Sequence, residues 1–393
     1  MSQLLNERWS ETKEALLEGL SGTRKSSMAV CLENTRRHLA ESATAGATSA
    51  GNIATLNRVI LPVIRRVMPT VIANEIIGVQ PMTGPVAQIH TLRVRYADGV
   101  ASGDTVTAGE EALSPFKIAQ AYSGNNASNG AAATTAALEG TPGKRMSIQI
   151  LKSPVEAKSR KLSARWTFEA AQDAQAQQGI DIEAEIMAAL AQEITAEIDQ
   201  EILTSLRSLA SVEETYDQSL VSGTATFVGD EHAALAIQIN RVSNLIAQRT
   251  RRGAGNWAVV SNQALTILQS ATTSAFARTT EGTFEAPTNT KFVGTLNGAM
   301  RIYVDAYKSD TDDNNQVLIG YKGTSEADAA AFYCPYIPLM SSGVVLDPAT
   351  FEPVVGFLTR YGYVELSNTA SSLGNAADYL GKVAITSANV SFK

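Results

Sequence analysis

The stretch NEIIGVQPMTGPVAQIHTLRVRY, Asn74 to Tyr96, contains a turn and a strand from which the rest of the chain can be read. Gly78, Pro81, Gly84 and Pro85 punctuate its first part, and that density of glycine and proline marks an ordered turn. From Ile89 the pattern alternates, with Ile89, Thr91, Val94 and Tyr96 set among polar partners, which predicts a strand. Residues 97–143 are rich in Ala, Gly, Ser, Thr and Asn. They offer no core of their own and read as a long, mobile excursion from the body. Met146, Ile148 and Ile150 then alternate again and supply the returning strand. The two strands with their soft tip predict a long hairpin.

Downstream lies the most regular helix of the chain. Ile182, Ile186, Leu190, Ile194, Ile198, Ile202 and Leu206 recur every four residues, with Met187 and Leu203 widening the stripe and Asp181 as N-cap. At 1.5 Å per residue, 181–209 spans about 43 Å, enough to cross a whole domain. A second amphipathic helix is expected from His232 to about Arg249, stopped near Gly253. Beyond it helix and strand signals mix, ending in strand-like runs at 354–366 and 382–392. Upstream, Ile53 to Val79 is apolar and divided by Pro62 and Pro69, and 42–52 (SATAGATSAGN) has linker composition. Residues 4–41 read as helix broken near Gly19 and Gly22, with Ser10 and Ser26 or Ser27 as caps. The class is α+β, with no internal repeat.

Composition bounds the function. The 393 residues are 44% hydrophobic and 18% charged, so a sizeable core is expected rather than disorder. A net charge of -7 argues against binding nucleic acid through a general basic surface. No apolar run reaches the ~18 residues of a membrane helix, and the polar N-terminus lacks the pattern of a secretory signal, so synthesis in a reducing cytoplasm is expected. Cys31 and Cys334 form no CxxC pair; they are either buried free thiols or partners in a disulfide between subunits. His38, His90 and His232 have no metal-ligand spacing. GAGNWA (Gly253–Ala258) lacks the third glycine of a dinucleotide fingerprint, and GTPGKR (Gly140–Arg145) has Arg145 where a phosphate loop needs Ser or Thr. Glu193, Glu197 and Glu201 follow i, i+4 spacing beside the apolar stripe and read as a solvated or subunit-facing acidic face. No nucleophile, metal or cofactor pattern emerges, and no enzyme is expected.

Several collinear stretches carry a family resemblance. They are Asn74–Tyr96, SRKLSARWTFEAAQD with GIDIEAEI (Ser159–Ile186), RRGAGNW (Arg251–Trp257), IGYKG (Ile319–Gly323), YCPYIPL (Tyr333–Leu339) and EPVVGFLTRYG (Glu352–Gly362). From about residue 50 to 365 the chain resembles the major capsid proteins of T-even-type myophages. The resemblance implies the Hong Kong 97-like fold, divided as N-terminal helical segment 1–41, N-arm 42–85, E-loop hairpin 86–160, peripheral domain with spine helix 161–219, axial domain 220–345 and peripheral return strands 346–393. It implies a major head protein of a tailed bacteriophage that forms hexamers, with pentamers left open, in an icosahedral shell around double-stranded DNA. A vertex-type capsid protein or an encapsulin-like compartment shell is the alternative. Implied partners are further copies of the chain, a scaffold, a portal and decoration or vertex proteins, with no sequence-specific DNA contact and no membrane. The implied location is the virion, after assembly in the host bacterial cytoplasm. The extra domain that larger relatives insert near the E-loop is not expected, since only about 50 residues separate the two hairpin strands.

Two expectations concern particular residues. Relatives lose an N-terminal segment to a protease that cuts after Glu in Leu/Ile-x-Glu, and Leu39-Ala40-Glu41 before Ser42 fits that pattern, as does Leu16-Leu17-Glu18; retention of the segment is nevertheless expected. Charge is also segregated. Residues 144–165 carry net +6, including Lys152, Lys158, Arg160 and Lys161, while 181–209 carry net -6, including Glu193 and Glu197. These blocks are expected to meet between subunits; the alternatives are that both are solvated faces, or that they meet within one subunit near the hairpin base.

Overall fold

The structure, a computed structural model, describes residues 22–44, 71–99, 132–140, 143–178, 181–217, 228–250, 252–271, 276–278, 291–305, 316–325, 328–350, 352–366 and 376–387, together with isolated positions within 9–17, 108–112 and 122–123. The apolar stretch before Val71 and the 42–52 linker, apart from its first three residues, lie outside this set.

From the N-terminus, α1 (Gly22–Thr44) is followed by the short α2 (Ala73–Ile76) and β1 (Gly78–Val79). The hairpin strands are β2 (Val86–Tyr96) and β3 (Met146–Glu156), with the single turn α3 (Thr135–Leu138) between them. β4 (Lys158–Arg165) leads through α4 (Phe168–Gln178) to α5 (Ile182–Leu209) and β5 (Val212–Asp217). Next come α6 (Val228–Thr250), β6 (Trp257–Val260), α7 (Asn262–Ser270) and β7 (Phe276–Arg278). β8 (Lys291–Leu296), β9 (Met300–Val304) and β10 (Gln316–Gly320) follow. β11 (Ala331–Ser341), β12 (Val345–Leu346), β13 (Pro353–Glu365) and β14 (Leu380–Ser387) complete the order.

Two larger sheets organise these elements. In the five-stranded sheet β13 pairs with β11, β12 and β4, and β1 adds in parallel to β11. The seven-stranded sheet has the order β5-β14-β10-β6-β9-β8-β7. α5 is the predicted spine. Asp181 caps it by accepting from the Glu183 backbone N–H at 3.1 Å, and Ile194, Ile198 and Ile202 are each 1% exposed. They share a core with Val355, Phe357 and Tyr361 of β13, and with Trp257 and Val259 of β6. Ala258 and Val260 belong to a second core with Leu235, Ile239 and Val242 of α6. All four residues of β6 are buried because successive side chains alternate between two covered faces.

Close packing explains two glycines in the motif stretches. A Cβ on Gly320 would lie 2.1 Å from Cζ2 of Trp257, and one on Gly362 would lie 2.4 Å from Cγ1 of Val155. α1 begins at Gly22, whose φ is +61°, and it runs through Ser26 and Ser27 rather than starting at either. Its buried residues Met28, Cys31, Leu32 and Thr35 fall at i, i+3, i+4 and i+7, one helical face.

The hairpin pairs without a register break from Val86↔Glu156 to Tyr96↔Met146, as a separate two-stranded ribbon. Described positions near its tip pack back onto the strand that leads into it. Ala112 and Tyr122 are buried against Tyr96, and the rings of Tyr96 and Tyr122 lie 4.5 Å apart. The Gly109 and Ala112 N–H groups donate to the Tyr96 and Val94 carbonyls, both at 2.8 Å. Tyr122 thus packs on the strand that the excursion leaves. Sheet membership also cuts across the expected segments. β11, from the 220–345 stretch, lies in the five-stranded sheet, whereas β5 and β14, from 161–219 and 346–393, pair in the seven-stranded one. Val383 and Ile385 alternate into the α6 core, which draws β14 there.

Candidate assembly surfaces

The opposite charge blocks do meet within the chain, at the base of the hairpin. Arg160 of β4 reaches Glu197 through Nη1 at 2.7 Å and Glu201 through Nη2 at 2.5 Å, and its Nε donates to the Tyr361 hydroxyl at 2.6 Å. The Tyr361 hydroxyl itself donates to Glu201. Burial alone would raise the Glu201 carboxyl, but the hydrogen bonds from Arg160 and Tyr361 outweigh it and hold the group below the usual carboxylate range. Lys158 is exposed and adds its positive charge to the field at Glu201. Lys152, Lys161 and Glu193 are exposed, and no ion pair joins them to another described residue. Glu201 and Tyr361 complete this cluster but were not singled out for it. The i, i+4 spacing marked Glu201, whereas only strand register could place Tyr361.

The motif stretches that are distant in sequence converge in space. Asn256 of RRGAGNW exchanges two hydrogen bonds with the backbone of Lys322 in IGYKG, at 2.6 and 3.0 Å. The Lys322 ammonium donates to the Asn74 carbonyl at 2.8 Å. Beside it, Glu75 accepts from Arg301 at 3.0 Å and Tyr303 at 3.3 Å, and pairs with Arg24 of α1. Three separate parts of the chain therefore hold one another through charge-assisted bonds.

A buried acidic cluster lies deeper, between α5 and the end of β9. Asp305 is fully buried and accepts from Arg207 and Gln200, both at 2.8 Å. Asp199, 1% exposed, accepts from the Ile72 N–H at 2.9 Å, and its Oδ2 has no hydrogen-bond partner among the described residues. Burial pushes the Asp199 carboxyl up to about 7, assisted by the nearby Asp305 charge and opposed by the Ile72 N–H. Nothing in the periodicity of α5 singled out Asp199, because it occupies a core position that the stripe assigns to apolar residues.

Two apolar areas are notable among the described residues. On the ribbon, Val86, Met146, Ile148 and Ile150 are 52–69% exposed. Elsewhere a groove is lined by Trp166, Phe168 and Ala171 around α4, Ile182 and Glu183 at the start of α5, and Val344, Leu346 and Pro353 about β12.

The remaining candidates have structural roles. Cys31 and Cys334 are free and buried inside their own chain, so the disulfide alternative gives way to buried thiols; burial raises both, Cys334 to about 12. His232 is buried with Nδ1 2.6 Å from the Ser270 hydroxyl, and His90 is exposed on β2. Among the described residues no group of three or more His, Cys, Asp or Glu is placed to hold a metal. Glu41 and Ser42 lie inside the last turn of α1, which continues to Thr44, rather than at a helix boundary.

Comparison with known proteins fits this arrangement. The family model described as major capsid protein Gp23 matches residues 53–385. The chain belongs to the Gp23 major capsid protein family. It is 29% identical over 425 residues to the major capsid protein of Vibrio phage KVP40, covering 84% of this chain and 80% of that protein. Against the major capsid protein of Enterobacteria phage T4 it is 29% identical over 408 residues, covering 81% and 76%. Among solved structures, the capsid of Myoviridae phage XM1 aligns with a TM-score of 0.42 and 10% identity over 78% of this chain and 89% of that one. The mature capsid of bacteriophage PhiM1 aligns with a TM-score of 0.44 and 13% identity over 78% and 84%. As a Gp23-family capsid protein, the chain has a mixed α+β fold, and the ribbon, the spine helix and all strands but the last two residues of β14 lie inside the matched span.

Proposed function

We propose that this capsid protein assembles into hexamers, and into pentamers by the same contacts, to build an icosahedral virion shell around double-stranded DNA in the bacterial cytoplasm. In that role it catalyses nothing, binds no cofactor, and uses a scaffold and a portal as assembly partners. The observation that carries the reading is the β2–β3 ribbon, a separate two-stranded sheet whose base packs on the body while the Met146–Ile150 row of β3 is exposed. Two strands alone are marginal in water, and this pair leaves Met146, Ile148 and Ile150 more than half exposed. Such an element makes physical sense when another molecule covers it.

In this reading residues 86–160 reach to a neighbour, the spine helix with the five-stranded sheet, to which the return strand β13 belongs, forms the peripheral body they cross, and the seven-stranded sheet with α6 surrounds the capsomer axis. Arg160, Glu197 and Glu201 stiffen the ribbon's base from within. Lys152, Lys158 and Lys161 remain available to steer the neighbour, as does Glu193 on the opposing block, more through encounter rate than through net affinity. α1 stays with the subunit, because Met28, Cys31 and Leu32 belong to the main core. Negative-stain imaging of the purified protein tests the function: shells, tubes or hexameric rings are expected, and a monomer at all concentrations and ionic strengths contradicts it.

A further inference from the structure

Three parts of the chain meet on the spine helix at Asp199 and Asp305. Asp305, at the end of β9, ties the seven-stranded sheet to α5 by accepting from Gln200 and Arg207, both at 2.8 Å. Asp199, one residue before Gln200, accepts at 2.9 Å from the backbone N–H of Ile72, the N-cap residue of α2. Only Ile77 separates α2 from β1, which adds to β11 of the five-stranded sheet. Neighbouring side chains of one helix therefore hold both sheets, one directly and the other through α2.

Two ionised carboxylates are too many for this site. Arg207 pairs with Asp305, whereas no described cation pairs with Asp199, whose Oδ2 has no hydrogen-bond partner among the described residues. Arg207 stands about 12 Å farther along α5 at 1.5 Å per residue, so it serves Asp305 rather than Asp199. The other titratable groups around Asp199 are neutral or engaged elsewhere. The Tyr333 phenol of β11 is pushed well up by burial first, and then by the neighbouring Cys31, Tyr361 and Asp199 groups. Burial likewise raises the Cys31 thiol of α1. Glu75 of α2 is taken up by Arg24, Arg301 and Tyr303. With a proton on Asp199 the cluster is balanced; without it, an uncompensated negative charge sits on a side chain 1% exposed.

The readiest relief for that charge is water, and the elements covering it are not held equally. Asp305 is gripped by two side chains, and its own N–H donates to the Val260 carbonyl of β6 at 3.0 Å. The start of α2 is joined to α5 by the single Ile72 N–H. Just beyond it, the Asn74 carbonyl is tied to Lys322 and Glu75 to Arg301, which makes a pivot. We propose that Asp199 and Asp305 form a one-proton latch: with the proton bound the Val71–Ala73 turn is seated on the spine, and on its loss the turn lifts to admit water to Asp199 while Asn74 and Glu75 hold. The latch is a property of the single chain, so it stands or falls apart from the shell reading. Burial, with the Asp305 charge behind it, carries the Asp199 carboxyl up to about 7. The seated form keeps a proton that the lifted, hydrated form gives up, so lifting becomes easier as pH rises toward 7 and no easier above it.

Hydrogen exchange of the purified full chain, read by mass spectrometry and divided by the intrinsic rate at each pH, tests it. The Ile72, Asn74, Glu75 and Ile76 amides report on the latch, because their hydrogen bonds all run to or from the turn. In the wild type their protection is expected to fall about tenfold from about pH 6 to about pH 8 and then to level off. The buried stretch of α6 from Leu235 to Ile246 keeps its protection throughout. In Asp199→Asn, which has the shape of the protonated acid and no charge to lose, protection at the turn is expected to be the same at both pH values. No pH-dependent loss at the wild-type turn overturns the proposal. So does the wild-type loss persisting in Asp199→Asn, or an equal loss across α6, which would mean that the whole chain opens. If Asp199→Asn does not fold, Asp305→Asn decides. It removes the facing negative charge and leaves Arg207 to balance Asp199, so the pH-dependent loss is expected to shrink, and an undiminished loss overturns the proposal.

Discussion

Replacing Asp199 by Asn should make the subunit more stable at pH 8 while leaving it nearly unchanged at pH 4. Asp199 is buried among apolar neighbours, faces the fully buried Asp305, and has one oxygen without a partner. Its carboxyl is raised from 3.8 to about 7, so the folded chain keeps a proton that the unfolded chain has already released. The sign follows directly. Between about pH 4 and pH 7 the unfolded state binds fewer protons than the folded state, so stability falls as pH rises through that window and levels off above it. A shift of that size corresponds to about 4 kcal/mol at most. Asn has the shape of the protonated acid, and its amide oxygen still accepts the Ile72 N–H, so the variant escapes the penalty. Urea unfolding of purified subunits at intervals from pH 4 to pH 8 measures the effect. A flatter pH dependence and a gain at pH 8 are expected. A variant that loses stability at pH 8, or retains the wild-type slope, would show that the ionised Asp199 is compensated by contacts other than those described.

Four further outcomes are expected. Ile194→Ala removes a side chain 1% exposed at the centre of the spine stripe and should cost about 2 to 5 kcal/mol, seen as poorly soluble subunits rather than shells of altered size; normal yields of normal particles contradict this. Arg160→Ala strips Glu201 and Glu197 of their shared cation and should cost about 1 to 2 kcal/mol in urea unfolding. Because the Glu201 carboxyl is held low, that loss should shrink at acid pH, the opposite trend to Asp199. Gly320→Ala drives a methyl into Trp257 and should reduce soluble yield more than Gly298→Ala, whose strain comes only from a φ of +69° in an open turn. Intact mass spectrometry of subunits from particles should find Met28 to Leu32 still present, and subunits beginning at Ser42 would contradict the retention of α1.

Much of the fold was legible because it rests on periodicity. The four-residue recurrence from Ile182 to Leu206 predicted α5 and its cap, and the interrupted alternation at 89–96 and 146–150 predicted the ribbon. What stayed hidden depends on pairing between distant strands. The sequence of β14 looks alike whether it joins β13 or β10, and the choice is made by which helix covers Val383 and Ile385. Tyr122 was hidden for a related reason: a lone aromatic in a stretch of small residues has no period, and only its placement over Tyr96 makes it an anchor.

The charge pattern shows where composition stops being informative. Net +6 on 144–165 and net -6 on 181–209 were visible, but a sum over a segment does not say which charges are already spent. β4 runs beside α5, so Arg160 is committed to Glu197 and Glu201 within its own chain, while Lys152, on the ribbon and away from the spine, is not. Strand register decides this difference. Arg160 pairs opposite Thr359 on β13, two residues from Tyr361, whose hydroxyl accepts from its Nε, whereas Lys152 pairs with His90 on the exposed part of the ribbon. A charge block at a junction of two elements thus divides into a part that holds the subunit together and a part available for another copy. For this capsid protein, the second part coincides with the exposed apolar row of β3.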